Sequence, residues 1–519
     1  MNKENQEKSQ AAKALDDAIV ACLFLFAAGA PNSIAVTQTA WLLGGALWLL
    51  RFAFPPRPRI FRTPVDYFLF GFFILSGLSS FLSYEPLVSI GKMRAASLFT
   101  IVYLVSQNVT SRRVVRLLAF TLVGACLLNV AYSGAERLLG RGVKIQGIAE
   151  SSPLYKAGAR DGDTLLTVDG AKLHDPQQLV NELSKPDKKM VAVTAYPHEW
   201  VLTCKLPPGS LLPGKSANEQ LGIGGWSKGR DWRASGFFGN FVTYAEALQL
   251  ILALAAGLFV ALPRKRSLLG LGLMVALIGM MGALLLTVTR ASWLAFVIST
   301  ALILLLSVSR RAVVLAGVIA IPLVLAGLFL LQQKRNVGFI DQQDKSTSWR
   351  ETVWREGFQL LVSKTRHVLV GTGMDSIKSH WREWGMFDKG RLPWGHMHSN
   401  LLQIALERGV PALLVWLGLL FVYARTIWRN LRDHSRLDCW IEHGIFLGAL
   451  GGLVGFFVSG LVHYNWGDSE VIMIFYMIMG LALAVHRNSR LPRTSPPPIK
   501  QEPDPKYKHH SAAGKVELG

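Results

Sequence analysis

Two arginines and one histidine are the residues of this chain whose types and positions most clearly suggest chemistry. Arg233 precedes one apolar segment, Arg290 closes another, and His398 stands near the end of a long polar segment. A guanidinium can hold phosphate oxygens through two parallel hydrogen bonds, and an imidazole can accept a proton near neutral pH. If one face of a membrane protein gathers all three, the sequence predicts a site for an anionic substrate carried on a lipid.

Membrane helices are the elements that must position these residues. The chain has 519 residues, of which 51% are hydrophobic, and apolar runs long enough to cross a bilayer recur along it. We predict twelve such segments: 15–31, 34–54, 66–83, 92–108, 114–133, 237–262, 267–288, 292–308, 313–331, 411–425, 443–462 and 470–486. The pattern indicates an α-helical polytopic membrane protein with about 12 transmembrane helices, grouped within residues 1–133, 233–331 and 411–486.

The net charge of +21 reflects membrane topology more than a nucleic-acid partner. Clusters of Arg and Lys fall between alternate spans, at 55–62, 111–116, 263–266, 309–311 and 425–436. With a cytoplasmic N-terminus, all of these clusters lie in the cytoplasm, as the positive-inside rule requires. We therefore expect both termini in the cytoplasm, the two long polar segments on the outer side, and no nucleic-acid partner.

The first outer segment has a strand and helix pattern of its own. Its elements are a strand at 143–148, a short helix ending at Gly158, a strand at 164–168, an amphipathic helix at 175–183 and a hairpin at 190–206. With Ser152-Pro-Leu-Tyr-Lys-Ala-Gly158 and Asp161-Gly-Asp163, this order resembles a PDZ domain of the permuted bacterial type over residues 138–208. The resemblance implies a small α+β insert that binds a peptide or protein by strand addition. An insert that only spaces or caps the membrane core is the alternative.

The second outer segment, 332–410, contains the histidine and is predicted to be a large polar loop with the catalytic segment at its end. The tail at 487–519 is rich in Pro, Lys and Ser, and its segments Ser495-Pro-Pro-Pro498 and Pro503-Asp-Pro505 cannot continue a helix, because proline lacks the backbone N–H and clashes with the preceding turn. We expect this tail to be disordered in the cytoplasm.

Four motifs that follow one another along the chain resemble those of the O-antigen ligase and O-antigen polymerase superfamily. They are Arg233-Ala-Ser-Gly-Phe-Phe-Gly-Asn240, Thr289-Arg290-Ala-Ser-Trp293, Arg350-x3-Trp354 with Gly371-Thr-Gly373, and His396-Met-His398-Ser-Asn-Leu-Leu-Gln403 with Glu407 and Gly409. Outside the insert, the resemblance covers residues 15–486. Ser399 departs from the family pattern, in which asparagine usually follows the histidine directly.

The resemblance implies a metal-independent glycosyltransferase of the bacterial inner membrane, with its active face in the periplasm. It would move a glycan from an undecaprenyl-diphosphate donor to an acceptor hydroxyl, without a cofactor. Arg233 and Arg290 would hold the diphosphate and stabilise the leaving charge, and His398 would be the general base. The further residues expected to bind substrate are Arg230, Arg350, His396, Asn400 and Gln403.

The acceptor is not fixed by the sequence. A ligase uses lipid A–core, a polymerase uses another lipid-linked repeat unit, and a protein O-oligosaccharyltransferase uses Ser or Thr. The long second polar segment and the histidine motif favour the ligase, while a PDZ-like insert could recruit a protein acceptor.

Two other classes of protein fit less well. A secondary transporter is disfavoured because the ionisable groups collect at one face and leave the middles of the spans nearly free of charge. A site-two intramembrane protease needs His-Glu-x-x-His for zinc, and Leu202 stands where the second histidine would follow His198 and Glu199.

Overall fold

A computed structural model of the protein describes residues 3–185, 190–196, 202–230, 232–307, 345–433 and 439–490. The predicted span at 313–331 and the tail at 491–519 lie outside the described residues. Each of the other predicted spans falls on described helices.

The membrane part is built from helices that follow the apolar runs. In the first half they are α1 (Lys3–Gly29), α2 (Ile34–Arg51), α3 (Asp66–Phe81), α4 (Pro86–Gly91), α5 (Met93–Ala96), α6 (Thr100–Asn108) and α7 (Arg112–Leu139). The insert follows, with β1 (Arg141–Ile148), α8 (Pro153–Lys156), β2 (Thr164–Val168), β3 (Ala171–Lys172), α9 (Pro176–Leu183), β4 (Val191–Tyr196), β5 (Leu202–Leu206), α10 (Ala217–Leu221) and β6 (Ile223–Gly229). The predicted span at 92–108 is not one continuous helix, because α5 and α6 are joined by a 3₁₀ turn at Ser97–Phe99.

The second half returns to membrane helices and carries the polar loop. Its helices are α11 (Phe241–Ala261), α12 (Leu268–Leu286), α13 (Arg290–Ser307), α14 (Lys345–Val362), α15 (Thr365–Val370), α16 (Ser376–His380), α17 (Met386–Gly390), α18 (Asn400–Arg432), α19 (Trp440–Ser459) and α20 (Ser469–Asn488). Within the described residues, 8 helices are long and apolar enough to cross a membrane, counting α4 to α6 as one. The chain is therefore a polytopic membrane protein, and the count of twelve spans stays a prediction.

Small residues bring α11 and α19 into close contact at the centre of the bundle. Gly444 and Gly448 lie four residues apart on α19 and face α11. A Cβ atom added at Gly448 would lie 2.5 Å from the Cα atom of Leu254, and one added at Gly444 would lie 2.8 Å from the Cα atom of Leu258. Glycines at such spacing let membrane helices pack backbone to backbone, where van der Waals contact drives association.

Gly448→Leu is expected to lower the midpoint of thermal unfolding in detergent, because the new side chain would collide with the backbone of α11. Overpacking of a tight interface usually costs about 1–3 kcal/mol. The matched control is Gly272→Leu in α12, where an added Cβ meets no heavy atom within 4 Å. Equal unfolding midpoints for the two variants would contradict the close approach of α11 and α19.

The insert folds as a sheet with the strand order β5-β4-β2-β1-β6, and β3 pairs with β2. All of its pairs are antiparallel. Val143, Leu165, Val193 and Leu179 are buried together, which joins three strands to α9 in one apolar core. The predicted strands and helices occur in the predicted order, β3, α10 and β6 were not predicted, and the PDZ resemblance itself stays a prediction.

The sheet continues past the predicted boundary at residue 208. Strand β6 pairs with β1, with Lys144 opposite Ser227, and Lys228 Nζ donates to the backbone oxygen of His174 just before α9 (2.6 Å). The chain itself therefore occupies this edge of β1. A peptide that added a strand to β1 here would first have to displace β6.

Candidate functional site

Arg233 holds the turn between α12 and α13. Its Nε atom donates to the backbone oxygen of Thr287 (2.8 Å), and its Nη2 atom donates to the backbone oxygen of Val288 (2.8 Å) and to Thr289 Oγ1 (3.2 Å). The ring of Phe241 packs 3.6 Å from its guanidinium carbon. Much of the hydrogen-bonding capacity of Arg233 is therefore spent on the protein's own backbone.

The turn that Arg233 holds is strained. Val288 has φ +52°, a left-handed conformation that is a genuine outlier for a β-branched residue. Such strain persists only where the surroundings fix it, and it concentrates at functional sites. Thr287 Oγ1 accepts from the backbone N–H of Thr289 (3.3 Å) inside the same turn. The turn is thus a fixed support for the residue that follows it.

Arg290 is the first residue of α13. The prediction that it closes the seventh span was wrong, because α12 ends at Leu286 and the strained turn separates the two. The partly buried guanidinium lies where the helix dipole of α13 is positive. Arginine and helix end together make this corner electrically suited to an anion.

The histidine segment rests on α14. Trp354 Nε1 donates to the backbone oxygen of Met397 (2.8 Å), and the ring of Trp349 meets the ring of His398 edge to face at 4.5 Å. His398 has φ +47°, and its backbone N–H donates to His396 Nδ1 (3.1 Å). These contacts fix the direction of the His398 ring before any substrate is bound.

Burial and positive neighbours keep the two imidazoles neutral. Burial lowers the pKa of His398 to about 2, with further lowering by His396, Arg350 and His463. Burial also lowers the pKa of His396 to about 4, with Lys378 and His463 adding to it. A neutral imidazole can accept a proton, but it is a weak base until a negative charge arrives beside it.

Asn400, predicted to bind substrate, joins two parts of the protein. Its Nδ2 atom donates to Asn465 Oδ1 (2.6 Å), and its Oδ1 atom accepts from the backbone N–H of Trp466 (3.1 Å). Its own backbone N–H donates to the oxygen of Gly460 (2.7 Å). Asn400 therefore docks the start of α18 onto the segment that follows α19.

Gln403 is likewise used inside the protein. Its Oε1 atom accepts from the backbone N–H of Met397 (2.7 Å), and its Nε2 atom donates to Glu407 Oε1 (2.8 Å). Glu407 pairs with Arg408 at 2.9 Å, and Tyr464 donates to the same carboxylate (3.3 Å). The substrate role of Gln403 stays a prediction. Its described contacts hold the backbone of the histidine segment at Met397.

Of the two remaining predicted residues, Arg350 lies with the histidines and Arg230 lies in the insert. Arg350 is on α14, close enough for its charge to lower the pKa of His398. Arg230 is exposed at the end of β6, with its side chain next to Gly140. The described contacts do not bring Arg230 to His398.

A buried carboxylate that the sequence prediction omitted lies between the two halves of the site. Glu246 is one turn into α11 and is 1% exposed. Four donors converge on it, namely Ser292 Oγ (3.1 Å) and His463 Nδ1 (2.8 Å) at Oε1, and Ser459 Oγ (2.6 Å) and Asn465 Nδ2 (3.2 Å) at Oε2. A lone carboxylate inside an apolar run is the sequence signal that could have found it.

Hydrogen bonds through Glu246 connect the arginine side of the site to the histidine side. Ser292 is two residues after Arg290 in α13, and Asn465 bonds to Asn400, two residues after His398. Within the described part of the chain, no group of three or more His, Cys, Asp or Glu side chains is placed to hold a metal ion. The described groups of the site are arginines, histidines and the buried carboxylates of Glu246 and Glu407.

Comparison with known proteins agrees with the motifs. Residues 275–417 match the model of a family described as O-antigen ligase. No curated protein matched the chain significantly. The matched region contains Arg290, Arg350 and His398, so the strained turn and the histidine segment belong to the same family domain. Residues 275–417 are thus similar to the O-antigen ligase family, which supports the resemblance that the four motifs carry.

Proposed function

We propose that the protein transfers a glycan from an undecaprenyl-diphosphate donor to a hydroxyl of lipid A–core, at the periplasmic face of the bacterial inner membrane. The observation that carries this proposal is the continuous path of hydrogen bonds from the start of α13 to the start of α18, through Glu246. It supports a single site in which Arg290 and His398 act on the same substrate. The family match, which spans both residues, supports the same reaction class.

Arg290 would bind the diphosphate of the donor. Its fork can hold two phosphate oxygens, and the positive end of α13 adds to the field at the same place. As the bond between the sugar and the diphosphate breaks, the electron pair goes to the phosphate oxygen, and a fixed positive charge there lowers the barrier. Arg233 would contribute mainly by holding the turn that carries Arg290.

His398 would take the proton of the acceptor. The acceptor oxygen bonds to the anomeric carbon while its proton passes to the neutral imidazole, and the diphosphate leaves as an anion. The weak basicity of His398 in the free protein fits this order of events, because the bound diphosphate would supply the negative charge that makes the imidazole a better base.

The acceptor and the insert complete the proposal. Lipid A–core is the acceptor that the long polar loop and the histidine motif favour, while a lipid-linked repeat unit or a protein hydroxyl would make the enzyme a polymerase or a protein glycosyltransferase. A peptide or protein partner of the insert would have to compete with β6 for the edge of β1.

The experiment is glycan transfer by the purified protein from an undecaprenyl-diphosphate-linked donor, with EDTA present. Lipid A–core, a lipid-linked repeat unit and a serine-containing peptide are offered in separate reactions. Labelled lipid A–core is the expected product. Product on another acceptor would replace the ligase assignment, and the absence of transfer to all three by folded protein would overturn the proposal. Ion flux in protein-containing liposomes would then favour the transporter.

A further inference from the structure

Glu246 is an ionisable residue in a helix whose other inward-facing side chains are almost all apolar. The carboxylate is 1% exposed. Ionisable groups within membrane helices are expensive to bury and usually mark function. The question is what a carboxylate at this position does that an apolar side chain could not.

The carboxylate is satisfied entirely by donors from other segments. Ser292 belongs to α13, Ser459 ends α19, and His463 and Asn465 lie in the connection to α20. A carboxylate can only accept hydrogen bonds, so His463 Nδ1 carries the proton of this bond. Glu246 therefore fixes the ring direction of His463.

His463 is also electrically coupled to the catalytic histidines. Its charge lowers the pKa of both His396 and His398, and the ring of His396 lies 5.6 Å from the ring of Tyr464, the next residue in the chain. The connection between α19 and α20 thus forms one wall of the histidine site. Glu246 fixes the position of this connection through its hydrogen bonds to His463 and Asn465.

Stability alone is a poor explanation for this arrangement. Close packing of α11 on α19 is already provided by the glycines at 444 and 448. A buried charge is weak support for a fold, since well-packed apolar residues often serve as well or better. What only Glu246 provides is a common acceptor for groups on the arginine side and on the histidine side.

We propose that Glu246 is a positioning residue for glycan transfer, which sets the distance between the guanidinium of Arg290 and the imidazole of His398. This inference rests on the proposed function. One carboxylate oxygen holds Ser292, which fixes the first turn of α13 behind Arg290. The other holds Asn465, which fixes Asn400 and so the start of α18 behind His398. The positions of both catalytic groups then depend on the carboxylate of Glu246.

The test compares Glu246→Gln with Gln249→Met. Gln249 is the matched control, because it is buried in the same helix one turn further on, where its Nε2 atom donates to Ser299 Oγ (3.0 Å). In Glu246→Gln, the side-chain amide nitrogen is a donor that faces the donors of Ser459 and Asn465, so these hydrogen bonds are lost. Its kcat is expected to fall by about 100-fold, the scale of a misplacement near 1 Å, while the Kd for undecaprenyl diphosphate changes by less than about 3-fold.

The control and a conservative variant separate positioning from folding. Gln249→Met is expected to keep kcat near the wild-type value. Glu246→Asp keeps the charge and is expected to recover part of the lost kcat. If Glu246→Gln does not fold, Ser292→Ala and Asn465→Ala each remove one of the hydrogen bonds to Glu246. Each variant is expected to lower kcat without weakening binding of undecaprenyl diphosphate.

Non-additivity gives the decisive readout. If Glu246 acts by aligning Arg290 with His398, the loss of kcat caused by Glu246→Gln is expected to be smaller in the His398→Ala background than in the wild type. Full kcat in Glu246→Gln, or losses that simply multiply, would overturn the inference while leaving the proposed function intact. Failure of the wild type to transfer glycan to any acceptor would instead overturn the proposed function, and this inference with it.

Discussion

His398→Ala is expected to lower the kcat of glycan transfer by about 10²–10⁴-fold, the usual contribution of general-base help. The imidazole is neutral and is directed by Trp349 and by the backbone bond to His396, so it is ready to accept the proton of the acceptor hydroxyl. Alanine leaves no group at this position to take that proton. Initial rates with purified protein and saturating donor measure the effect.

The control for this variant is His380→Ala. His380 is another histidine of the same polar segment, bonded through Nδ1 to Glu383 at 2.8 Å. We expect His380→Ala to retain wild-type kcat and both variants to keep the wild-type unfolding midpoint. A folded His398→Ala protein that is fully active would remove His398 from the mechanism.

The pH dependence of the wild type is a second consequence of the same site. Burial lowers the pKa of His398 to about 2 in the free protein, so the imidazole remains neutral well below its usual titration range. Bound diphosphate would raise that pKa by placing negative charge nearby. Since kcat/KM reports the free enzyme and kcat reports the complex, the acid limb of kcat is expected at the higher pH.

Rate profiles from about pH 4 to about pH 8 test this order, because the unperturbed histidine pKa lies inside that range. Loss of the kcat limb in His398→Gln would assign the limb to His398. Coincident acid limbs for kcat and kcat/KM in the wild type would show that donor binding does not change the basicity of the site.

Much of the fold follows from simple sequence patterns. Apolar runs of membrane-spanning length give the helices, and alternation between turns and short apolar runs gives the insert up to β5, apart from the two-residue strand β3. The sequence analysis missed β6, because Ile223-Gly-Gly-Trp-Ser-Lys-Gly229 is rich in glycine and shows little strand propensity. Its pairing comes from the free edge of β1, which local sequence does not reveal.

The site was predictable in part for the same kind of reason. A histidine or an arginine in a short motif is visible in the sequence. The position of Arg290 at the start of α13 was not predictable, because it depends on the left-handed backbone of Val288. The sequence analysis did not predict Glu246 as a site residue, because its hydrogen-bond partners lie 46 to 219 residues away in the chain. Only the folded bundle brings them together.

Arg290→Lys is expected to lower kcat by about 10²–10³-fold, close to the effect of Arg290→Ala, since that is the usual contribution of one donor to a developing oxyanion. Lysine keeps the charge but loses the planar fork, and its single ammonium cannot hold two phosphate oxygens in one geometry. Transfer rates for both variants, with Kd for undecaprenyl diphosphate measured beside them, separate lost binding from lost transition-state stabilisation.

Arg391→Ala is the control, because Arg391 is an exposed arginine of the polar segment that pairs with Asp388 at 2.9 Å. It is expected to transfer glycan at the wild-type rate. An Arg290→Lys protein with wild-type kcat would show that only charge matters at this position.

Variants of Arg233 test whether this residue acts through Arg290 or contacts the diphosphate itself. Its three described hydrogen bonds end on the turn before Arg290, so Arg233→Ala should act by letting that turn relax and moving Arg290. The double variant Arg233→Ala/Arg290→Ala is therefore expected to be no slower than Arg290→Ala alone. If the two losses multiply instead, Arg233 contacts the diphosphate itself, and both arginines bind the donor directly.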